Sequence, residues 1–482
     1  MIKVLFVASE AMPLVKTGGL ADVAYALPKA LLSLGADVRV IMPKHRAIKE
    51  KFEHLIEEVT HATIRLGWRE TYLGLQTFEL DGIRYYFIDN EDYFGGKIYR
   101  GGDEENEQYM FFCRGVLEAL PYLDFKPDVL HCNDWHTGMI PFLLRTQYAD
   151  AYPDTGTVFT IHNIKFQGQA KFDIMADVLS VPERYYTPSA LEQGGSANMM
   201  KAGIVFADRV TTVSPTYARE IVETELGMGM QGILASRGAD VSGIVNGIDE
   251  DEFDPASDPA LPAHYDAADL KGKRECKKAL RAAFGLKAEW YAPIICMITR
   301  LTSQKGLDLV REAADGLLGS GAAFVLLGSG DEEYEVFFNK LSEKYPGRAG
   351  VYLGYNEERA RLIYAGSDFL LMPSLFEPCG LSQMIAQRYG TLPIVRSTGG
   401  LADTVDPYNK YEKTGDGFAF APYSAHDMML VINLTLDVYR EDKPMLRQLR
   451  ANAMTKNHSF AASAEEYLKL YGALAPSGKV KK

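Results

Sequence analysis

Short apolar runs, each followed by a polar turn and then by a helix-forming stretch, recur along the chain of 482 residues. Uninterrupted apolar runs of this length are typical of strands that are buried on both faces of a parallel sheet. Repeated strand–turn–helix units therefore predict an α/β fold built from doubly wound parallel sheets. The predicted strands cover residues 4–8, 37–42, 85–88, 129–132, 158–161, 210–213, 294–298, 324–327, 351–353, 369–372 and 392–395, with a short strand and turn at 244–249.

The chain is longer than a single hydrophobic core usually supports, so two domains of roughly 200–250 residues are expected. The strand pattern restarts after residue 243, which predicts an N-terminal domain over residues 1–243 and a C-terminal domain over residues 244–455. The tract 91–107, rich in tyrosine, glycine and acidic residues, predicts a long loop or lid rather than core. Residues 271–284 predict a basic amphipathic helix.

Composition narrows the classes of partner. The net charge of −13 argues against nucleic acid or an anionic membrane as a partner, because both need a concentrated basic surface. Five scattered cysteines without a C-x-x-C pair favour reduced thiols in the cytoplasm over a disulfide framework or a zinc site. The first apolar run is too short for a signal peptide. The sequence contains no run of about 18 apolar residues, so no membrane span is predicted.

Residues 367–400 contain the most informative pair of turns. A lone carboxylate, Glu377, follows the predicted strand 369–372, and a glycine-rich turn at residues 397–403 follows the next strand. Open α/β folds bind ligands at the carboxyl ends of their strands, and the amides of a small turn at a helix N-terminus can face an anion. Each turn alone is equally compatible with an ordinary strand-to-helix connection. Together they predict a sugar nucleotide site.

Two further turns carry cations. Arg300 and Lys305 lie five positions apart after strand 294–298, a spacing that can straddle a diphosphate. After the first strand, Lys16 precedes the glycine pair Gly18 and Gly19 in a strand–loop–helix arrangement that can hold phosphate, although it matches neither G-x-G-x-x-G nor a P-loop. For this motif alone, a plain turn is the favoured interpretation. Asp134 and His162 follow two other predicted strands, where a structural and a functional role are equally plausible.

These motifs together resemble those of the bacterial glycogen synthases and plant starch synthases, and the likeness extends in order over nearly the whole chain. The motifs that carry it are K-T-G-G-L at 16–20, N-G-I-D at 246–249, R-L-T-S-Q-K-G at 300–306, E-P-C-G-L at 377–381 and S-T-G-G-L-A-D-T-V at 397–405. The resemblance implies a GT-B fold, in which two Rossmann-like doubly wound domains face each other across a cleft. It also implies a retaining glucosyltransferase that moves glucose from ADP-glucose to the non-reducing end of an α-1,4-glucan such as glycogen or starch.

The resemblance also assigns roles. It implies that Arg300 and Lys305 neutralise the leaving diphosphate, that Glu377 contacts the hydroxyls of the donor glucose, and that His162 lines the glucose near the reacting carbon. Tyr355 matches a position that packs on adenine. The remaining residues implied to bind the donor or the sugar are Lys16, Gly18, Gly19, Asp22, Asp134, Asn246, Cys379, Gly380, Leu381, Thr398, Gly399 and Gly400. A tail over residues 456–482, including Tyr467 and Tyr471, is implied to cross back to the N-terminal domain.

Two positions depart from the pattern of the wider superfamily. Where a second glutamate is usual, eight positions after Glu377, this chain has Ile385, and Gln383 is the nearest polar residue. This puts a carboxylate contact to the ribose in doubt, while the sugar site is unaffected. Near the end, Phe460 replaces the tryptophan that the family usually carries before its last helix.

Positioned cations and amides can stabilise a diphosphate leaving group without a metal, and no Asp-x-Asp triplet at a strand end replaces them. We therefore expect no metal and no cofactor. Enzymes that retain the configuration of the anomeric carbon normally use a double displacement with a carboxylate nucleophile, but the sequence identifies no such carboxylate. The family's mechanism is usually framed as front-face attack through a short-lived species resembling an oxocarbenium ion.

Three other functions compete with this prediction. A nicotinamide oxidoreductase also has Rossmann-like halves, but the G-x-G-x-x-G loop is lacking. A non-catalytic glucan-binding protein could use exposed tyrosines, but it would not need Arg300, Lys305 and Lys16. A related transferase that uses UDP-glucose differs only in the base of its donor and stays open.

Overall fold

The computed structural model describes residues 1–287, 289 and 291–475, and these form two compact units. The N-terminal unit consists of Met1–Gly247 together with the segment that begins at Phe460, and the C-terminal unit is Ile248–Ser459. The chain thus leaves the first unit after Gly247 and returns to it at Phe460. Residues 476–482 of the predicted tail lie outside the described residues.

The N-terminal unit is built on a nine-stranded sheet in the order β12-β11-β7-β6-β1-β2-β5-β4-β3. From β12 to β5 every neighbouring pair is parallel, as predicted from the apolar runs. The strands are β1 (Lys3–Val7), β2 (Asp37–Pro43), β3 (Glu57–Leu66), β4 (Arg69–Leu80), β5 (Ile83–Asp89), β6 (Val129–Asn133), β7 (Gly156–Ile161), β11 (Arg209–Thr212) and β12 (Val241–Gly243), and a small antiparallel sheet contains β8 (Gln169–Ala170), β9 (Glu192–Gln193) and β10 (Ser196–Asn198).

Helices cover both faces of this sheet, and apolar side chains on the two faces form separate hydrophobic clusters. The helices of the unit are α1 (Gly19–Ser33), α2 (Arg46–Phe52), α3 (Glu91–Phe94), α4 (Gly102–Ala119), α5 (Met139–Thr146), α6 (Phe172–Leu179), α7 (Met199–Phe206), α8 (Pro215–Glu223), α9 (Gln231–Arg237) and, from the end of the chain, α18 (Phe460–Leu474).

The structure corrects three expectations for this unit. The sheet is not parallel throughout, because the unpredicted strands β3 and β4 form an antiparallel hairpin at its edge. The tract 91–107 is not a long loop, since it contains α3 and the first turns of α4. The predicted strand at 244–249 is wrong as well: the strand is β12, three residues earlier, and Ile248 makes only an isolated bridge to Ser459.

The C-terminal unit has a six-stranded parallel sheet in the order β15-β14-β13-β16-β17-β18. Numbered within the unit, this order is 3-2-1-4-5-6, which is the Rossmann arrangement. The strands are β13 (Ile294–Ile298), β14 (Ala323–Gly328), β15 (Ala349–Leu353), β16 (Phe369–Met372), β17 (Leu392–Arg396) and β18 (Phe418–Phe420), and the helices are α10 (Lys271–Ala283), α11 (Leu307–Gly319), α12 (Glu332–Lys344), α13 (Glu357–Gly366), α14 (Ser382–Arg388), α15 (Gly399–Thr404), α16 (Ala425–Glu441) and α17 (Lys443–Thr455). Two doubly wound α/β sheets are thus confirmed. None of the described helices is long and apolar enough to cross a lipid bilayer.

Helix α18 belongs to the N-terminal unit through a buried chain of hydrogen bonds. The hydroxyl of Tyr471 lies 2.7 Å from Nδ1 of His131 on β6, and Nε2 of the same ring lies 2.6 Å from Oγ1 of Thr160 on β7. All three side chains are buried. Because a buried ring nitrogen without a partner is costly, this network favours the docked position of α18.

A buried carboxylate joins the elements of the C-terminal unit. Asp368, immediately before β16, accepts hydrogen bonds from Lys277 of α10 at 2.6 Å, from Arg450 of α17 at 2.7 Å and from the backbone amide of Ile294 at 2.9 Å. Burial alone would raise the pKa of Asp368, but the two cations and the hydrogen bonds lower it to about 2. The ionised form therefore holds two helices against the central strands.

We expect Asp368→Asn to lower the Tm by roughly 6–20 °C, because it leaves two largely buried cations without a counter-charge at a cost of about 3–5 kcal/mol. Asp315→Asn is the matched control, since its ion pair with Lys344 is exposed and should matter little. Thermal unfolding followed by circular dichroism measures both. Equal shifts for the two variants would contradict the structural role of Asp368.

The same carboxylate predicts a pH dependence. Because its pKa is lower in the folded than in the unfolded chain, its stabilisation is present above about pH 4 and is lost as the pH falls through about 2. The Tm of Asp368→Asn should consequently fall less steeply over this range than that of the unmodified chain.

Candidate functional site

The C-terminal unit places its polar turns at the point where its strand order reverses. From β13 the chain continues outward to β14 and β15, and it then returns to β16 on the other side of β13. Loops after two such strands diverge and leave a crevice, which is where open α/β sheets bind ligands. Arg300 and Lys305 follow β13, and Glu377 follows β16, so the sheet brings the predicted residues of this unit to one edge.

Lys305 and Glu377 form an ion pair in this crevice, with Nζ 2.6 Å from Oε2. Their side chains are only 15% and 6% exposed, so the pair is held in a largely water-free environment. Ser374 donates a second hydrogen bond to the same oxygen at 3.0 Å. No hydrogen bond reaches Oε1 of Glu377 from any residue that the structure describes, so this oxygen can accept from a bound hydroxyl.

A glycine makes this approach possible. Gly306, directly after Lys305, has a φ of +67°, and a Cβ at this position would lie 2.0 Å from the carbonyl oxygen of Pro373. Only glycine permits that contact between the turn after β13 and the turn after β16. The R-L-T-S-Q-K-G motif therefore ends in glycine for a packing reason that also sets the position of Lys305.

Arg300 differs from Lys305 in its surroundings. Its side chain is exposed, and among residues 1–287, 289 and 291–475 its guanidinium has neither a hydrogen bond nor an ion pair. A guanidinium presents a planar set of donors that match the oxygens of a phosphate. The crevice thus offers one exposed cation and one cation that is already paired.

The two glycine-containing turns of this unit pack directly on each other. The Gly400 amide donates to the carbonyl oxygens of Glu377 and Pro378 at 3.0 and 3.1 Å. Gly399 has a φ of +46°, and a Cβ there would lie 1.9 Å from the Glu377 carbonyl oxygen. The Gly400 amide is therefore engaged by backbone in this structure. A role of these amides toward an anion stays a prediction, as do those of Thr398, Cys379, Gly380 and Leu381 in the same turns.

Gln383 has a role that the sequence did not reveal. Its side chain is fully buried, and Nε2 donates to the carbonyl oxygens of Cys379 and Gly380 at 3.0 and 2.9 Å and to Oγ1 of Thr404 at 3.0 Å. It therefore fixes the turn that carries Glu377. Gln383 follows Gly380 by three positions and Cys379 by four. Polar side chains often bond to backbone groups at these separations, so this spacing was the signal available in the sequence.

In the N-terminal unit the neighbouring strands β1, β6 and β7 carry the other predicted residues. Asp134, after β6, has a φ of +57° and accepts hydrogen bonds from the amides of His162 and Asn163 at 2.7 and 3.2 Å. Burial is the main cause that raises the pKa of Asp134 to about 7; the two amides oppose this shift, and the nearby Glu10 adds to it. Asp134 thus orients the turn that presents His162.

The hydrogen bonds of His162 determine its tautomer. Nε2 lies 2.9 Å from Oδ1 of Asn133, whose amide nitrogen is committed to the carbonyl oxygens of Val7 and His131. Oδ1 must accept, so Nε2 carries the proton and Nδ1 is the acceptor of the ring. Burial lowers the pKa of His162 to about 3, which keeps the ring neutral. A neutral acceptor suits a sugar hydroxyl better than a phosphate.

The loop that contains Lys16, Gly18 and Gly19 is held by a residue that the sequence analysis missed. Oε2 of buried Glu10 accepts from the Thr17 amide at 2.7 Å and from the Thr17 hydroxyl at 2.6 Å. Burial is the main cause that raises the pKa of Glu10. Lys16 forms an ion pair with Asp22 at 2.7 Å. The signal for Glu10 was its position three residues after the end of β1, ahead of the glycine loop.

The last two predicted residues lie apart from these groups. Asn246 is buried in the segment after β12. Tyr355 is 68% exposed and follows β15, the outermost strand on its side of the sheet and two strands away from β13. The structure pairs Lys305 with Glu377 and places Arg300 on the same turn as Lys305; in the other unit it brings together Asp134 with His162 and Lys16 with Asp22.

Comparisons with known proteins cover nearly the whole chain. A family model for the starch synthase catalytic domain matches residues 3–236, and one for glycosyl transferases group 1 matches residues 286–455. The glycogen synthase of Geobacillus thermodenitrificans is 47% identical over 473 residues, which are 98% of this chain and 97% of that protein. The glycogen synthase of Bacillus cereus (strain B4264) is 47% identical over 475 residues, 98% of this chain and all of that protein.

Solved structures agree with this assignment. The catalytic domain of starch synthase IV from Arabidopsis thaliana, bound to ADP and acarbose, superposes with a TM-score of 0.91 at 33% identity and covers 98% of this chain and 99% of its own. Sucrose-phosphate synthase from Thermosynechococcus elongatus has a TM-score of 0.62 at 17% identity, over 98% of this chain and 99% of its own, which shows a shared fold. The chain belongs to the glycogen and starch synthase family of GT-B glycosyltransferases.

Proposed function

We propose that this hexosyltransferase transfers glucose from ADP-glucose to the non-reducing end of an α-1,4-glucan with retention of configuration. The observation that carries the proposal is the crevice at the ends of β13 and β16, which holds the Lys305–Glu377 ion pair and whose turn after β13 also carries the exposed Arg300. Its chemistry fits a substrate that joins a diphosphate to a sugar. The Arabidopsis relative, whose structure contains ADP and acarbose, supports this choice of donor and acceptor.

The two cations would act on the leaving group. As the glycosidic bond to the diphosphate breaks, negative charge accumulates on the phosphate oxygens, and donors already in position stabilise it most effectively. Arg300 can bind two oxygens at once, while Lys305 supplies a point charge in a site with little water. We propose that these groups suffice without a metal ion or cofactor.

The carboxylate and the imidazole would act on the glucose. Oε1 of Glu377 and Nδ1 of His162 are both acceptors, so each can receive a hydrogen bond from a sugar hydroxyl. A carboxylate also stabilises positive charge that develops on the anomeric carbon. Each group therefore has a defined chemical role toward a pyranose ring.

The nucleotide is tested by competition between ADP-glucose and UDP-glucose at equal concentrations, with glycogen as the acceptor and release of each diphosphate measured. We expect ADP to be the main product. Preferential release of UDP would show that UDP-glucose, not ADP-glucose, is the donor. Binding of NAD would support the alternative of a nicotinamide oxidoreductase.

We further propose a cytoplasmic protein without nucleic acid or membrane as partners. None of the five cysteines, all of which the structure describes, is in a disulfide, and the net charge of −13 opposes binding to a polyanion.

We expect Arg300→Ala and Lys305→Ala each to lower kcat about 100- to 1000-fold, because each removes a donor that meets charge in the transition state. Arg311→Ala and Lys344→Ala are matched controls, since both remove exposed cations of the same unit. Steady-state rates with ADP-glucose and glycogen measure the effect. Retention of more than about a tenth of the activity would contradict the role of that residue.

If no metal takes part, the rate of the unmodified enzyme should be the same in excess EDTA as in added Mg²⁺. A rate that is lost in EDTA and restored by a divalent ion would overturn the metal-free proposal.

We expect Glu377→Gln to lower kcat by at least ~100-fold, since a neutral amide is a weaker acceptor than a carboxylate in a site with little water. Its Tm should also fall, because Lys305 loses its counter-charge. Ser374→Ala separates the two effects: it removes a hydrogen bond to the same oxygen and keeps the charge. An active Glu377→Gln with a lowered Tm would assign Glu377 a purely structural role.

A further inference from the structure

The hairpin of β3 and β4 exposes an aromatic side chain at its tip. The two-residue connection is Gly67-Trp68, and the Trp68 side chain is 80% exposed. Burying a tryptophan normally stabilises a protein by its large apolar area, so leaving one in water forgoes that gain. An open depression of about 520 Å³ lies beside it, lined by residues 65, 67, 68, 69 and 70.

The tip is held rigidly against two helices. A Cβ at Gly67 would lie 1.8 Å from the carbonyl oxygen of Asp177 on α6, so the backbone is in direct contact with that helix. Arg69 donates to Glu107 of α4 at 2.8 Å and to Asp177 at 3.1 Å. The turn that presents Trp68 is therefore anchored on both sides. Because the backbone that presents Trp68 is already ordered, little backbone entropy would be lost there on binding.

A second exposed aromatic side chain lies on the outer face of the hairpin. Alternation along the strands places Arg65, Glu70 and Tyr72 outward, while Ile64 and Leu73 are buried. Tyr72 is 46% exposed and stacks with His61 at a ring separation of 6.2 Å. Over four residues of strand, Trp68 and Tyr72 are roughly 13 Å apart along the hairpin. Two aromatic surfaces at this spacing suit an extended ligand.

The charges around the tip identify the kind of ligand. Arg65 and Glu70 face each other at 3.9 Å with side chains 83% and 67% exposed, and Arg69 is neutralised by its two acidic partners. No excess of positive charge is left for a polyanion. Exposed donors and acceptors beside an aromatic face match a neutral polyhydroxylated chain, whose rings have apolar faces and hydroxyl edges.

We propose that the β3–β4 hairpin is an accessory binding site for the α-glucan, with Trp68 and Tyr72 as stacking surfaces and Arg65 and Glu70 as partners for hydroxyl groups. This rests on the proposed function, which makes a long glucan the acceptor. The site would hold a distant part of the polymer and raise the effective concentration of chain ends near the enzyme.

Affinity electrophoresis in gels containing glycogen tests the proposal without any donor. We expect Trp68→Ala and the double variant Trp68→Ala/Tyr72→Ala to bind glycogen about three- to tenfold more weakly than the unmodified chain. Tyr411→Ala is the control, because Tyr411 is 84% exposed on the other unit. Unchanged retardation of the double variant would overturn the proposal, and so would an equal loss for Tyr411→Ala.

Kinetics distinguish the accessory site from the catalytic one. For the double variant we expect a higher KM for glycogen, and unchanged kcat and KM with maltotriose, which is too short to reach both. A loss of rate with maltotriose would place the effect at the catalytic site and contradict the proposal. If the unmodified chain were inactive with every glucan, the proposed function would fail, while the gel measurement would still decide whether the hairpin binds glycogen.

Discussion

Parallel strands end at the same edge of a sheet, and this constraint determines where both units can place chemistry. In the C-terminal unit it brings the turns after β13 and β16 side by side, since these strands are neighbours although about 70 residues separate them in sequence. In the N-terminal unit the adjacent strands β1, β6 and β7 do the same for the glycine loop, Asp134 and His162. The helices and the two-sided cores keep these edges fixed.

Two buried carboxylates of the C-terminal unit show how similar ion pairs serve different ends. Asp368 uses both oxygens on Lys277, Arg450 and a backbone amide, so its charge is fully compensated within the fold. Glu377 commits one oxygen to Lys305 and Ser374, and none of the described residues bonds to the other. Complete pairing stabilises the fold, whereas incomplete pairing leaves capacity for a ligand at some cost in stability.

The sequence predicted the parallel strands well because burial on both faces produces apolar runs that stand out, as in 294–298 and 369–372. The hairpin was not predicted because one face of β3 is exposed to solvent. Its apolar residues therefore alternate with the polar residues His61, Thr63 and Arg65 and do not form an apolar run. The roles of Glu10 and Gln383 were not predicted for another reason. Their partners, Thr17 and the carbonyls of the Glu377 turn, become significant only once backbone positions are known. The positions of Arg300, Lys305 and Glu377 in one crevice followed from strand adjacency, but the Lys305–Glu377 contact required coordinates.

The charge balance of the chain makes the local arrangement decisive. A net charge of −13 repels an anionic nucleotide sugar at long range, yet salt screens such repulsion beyond about 8 Å at physiological ionic strength. Within that distance the nearest groups dominate, and Arg300 is exposed and unpaired among the described residues while Lys305 lies in a poorly hydrated crevice. Under the proposed function, a diphosphate at Lys305 would compete with Glu377 for the same ammonium group, and a shift of the ammonium toward phosphate would free the second oxygen of Glu377 for the sugar. The ion pair would then couple recognition of the two halves of the donor.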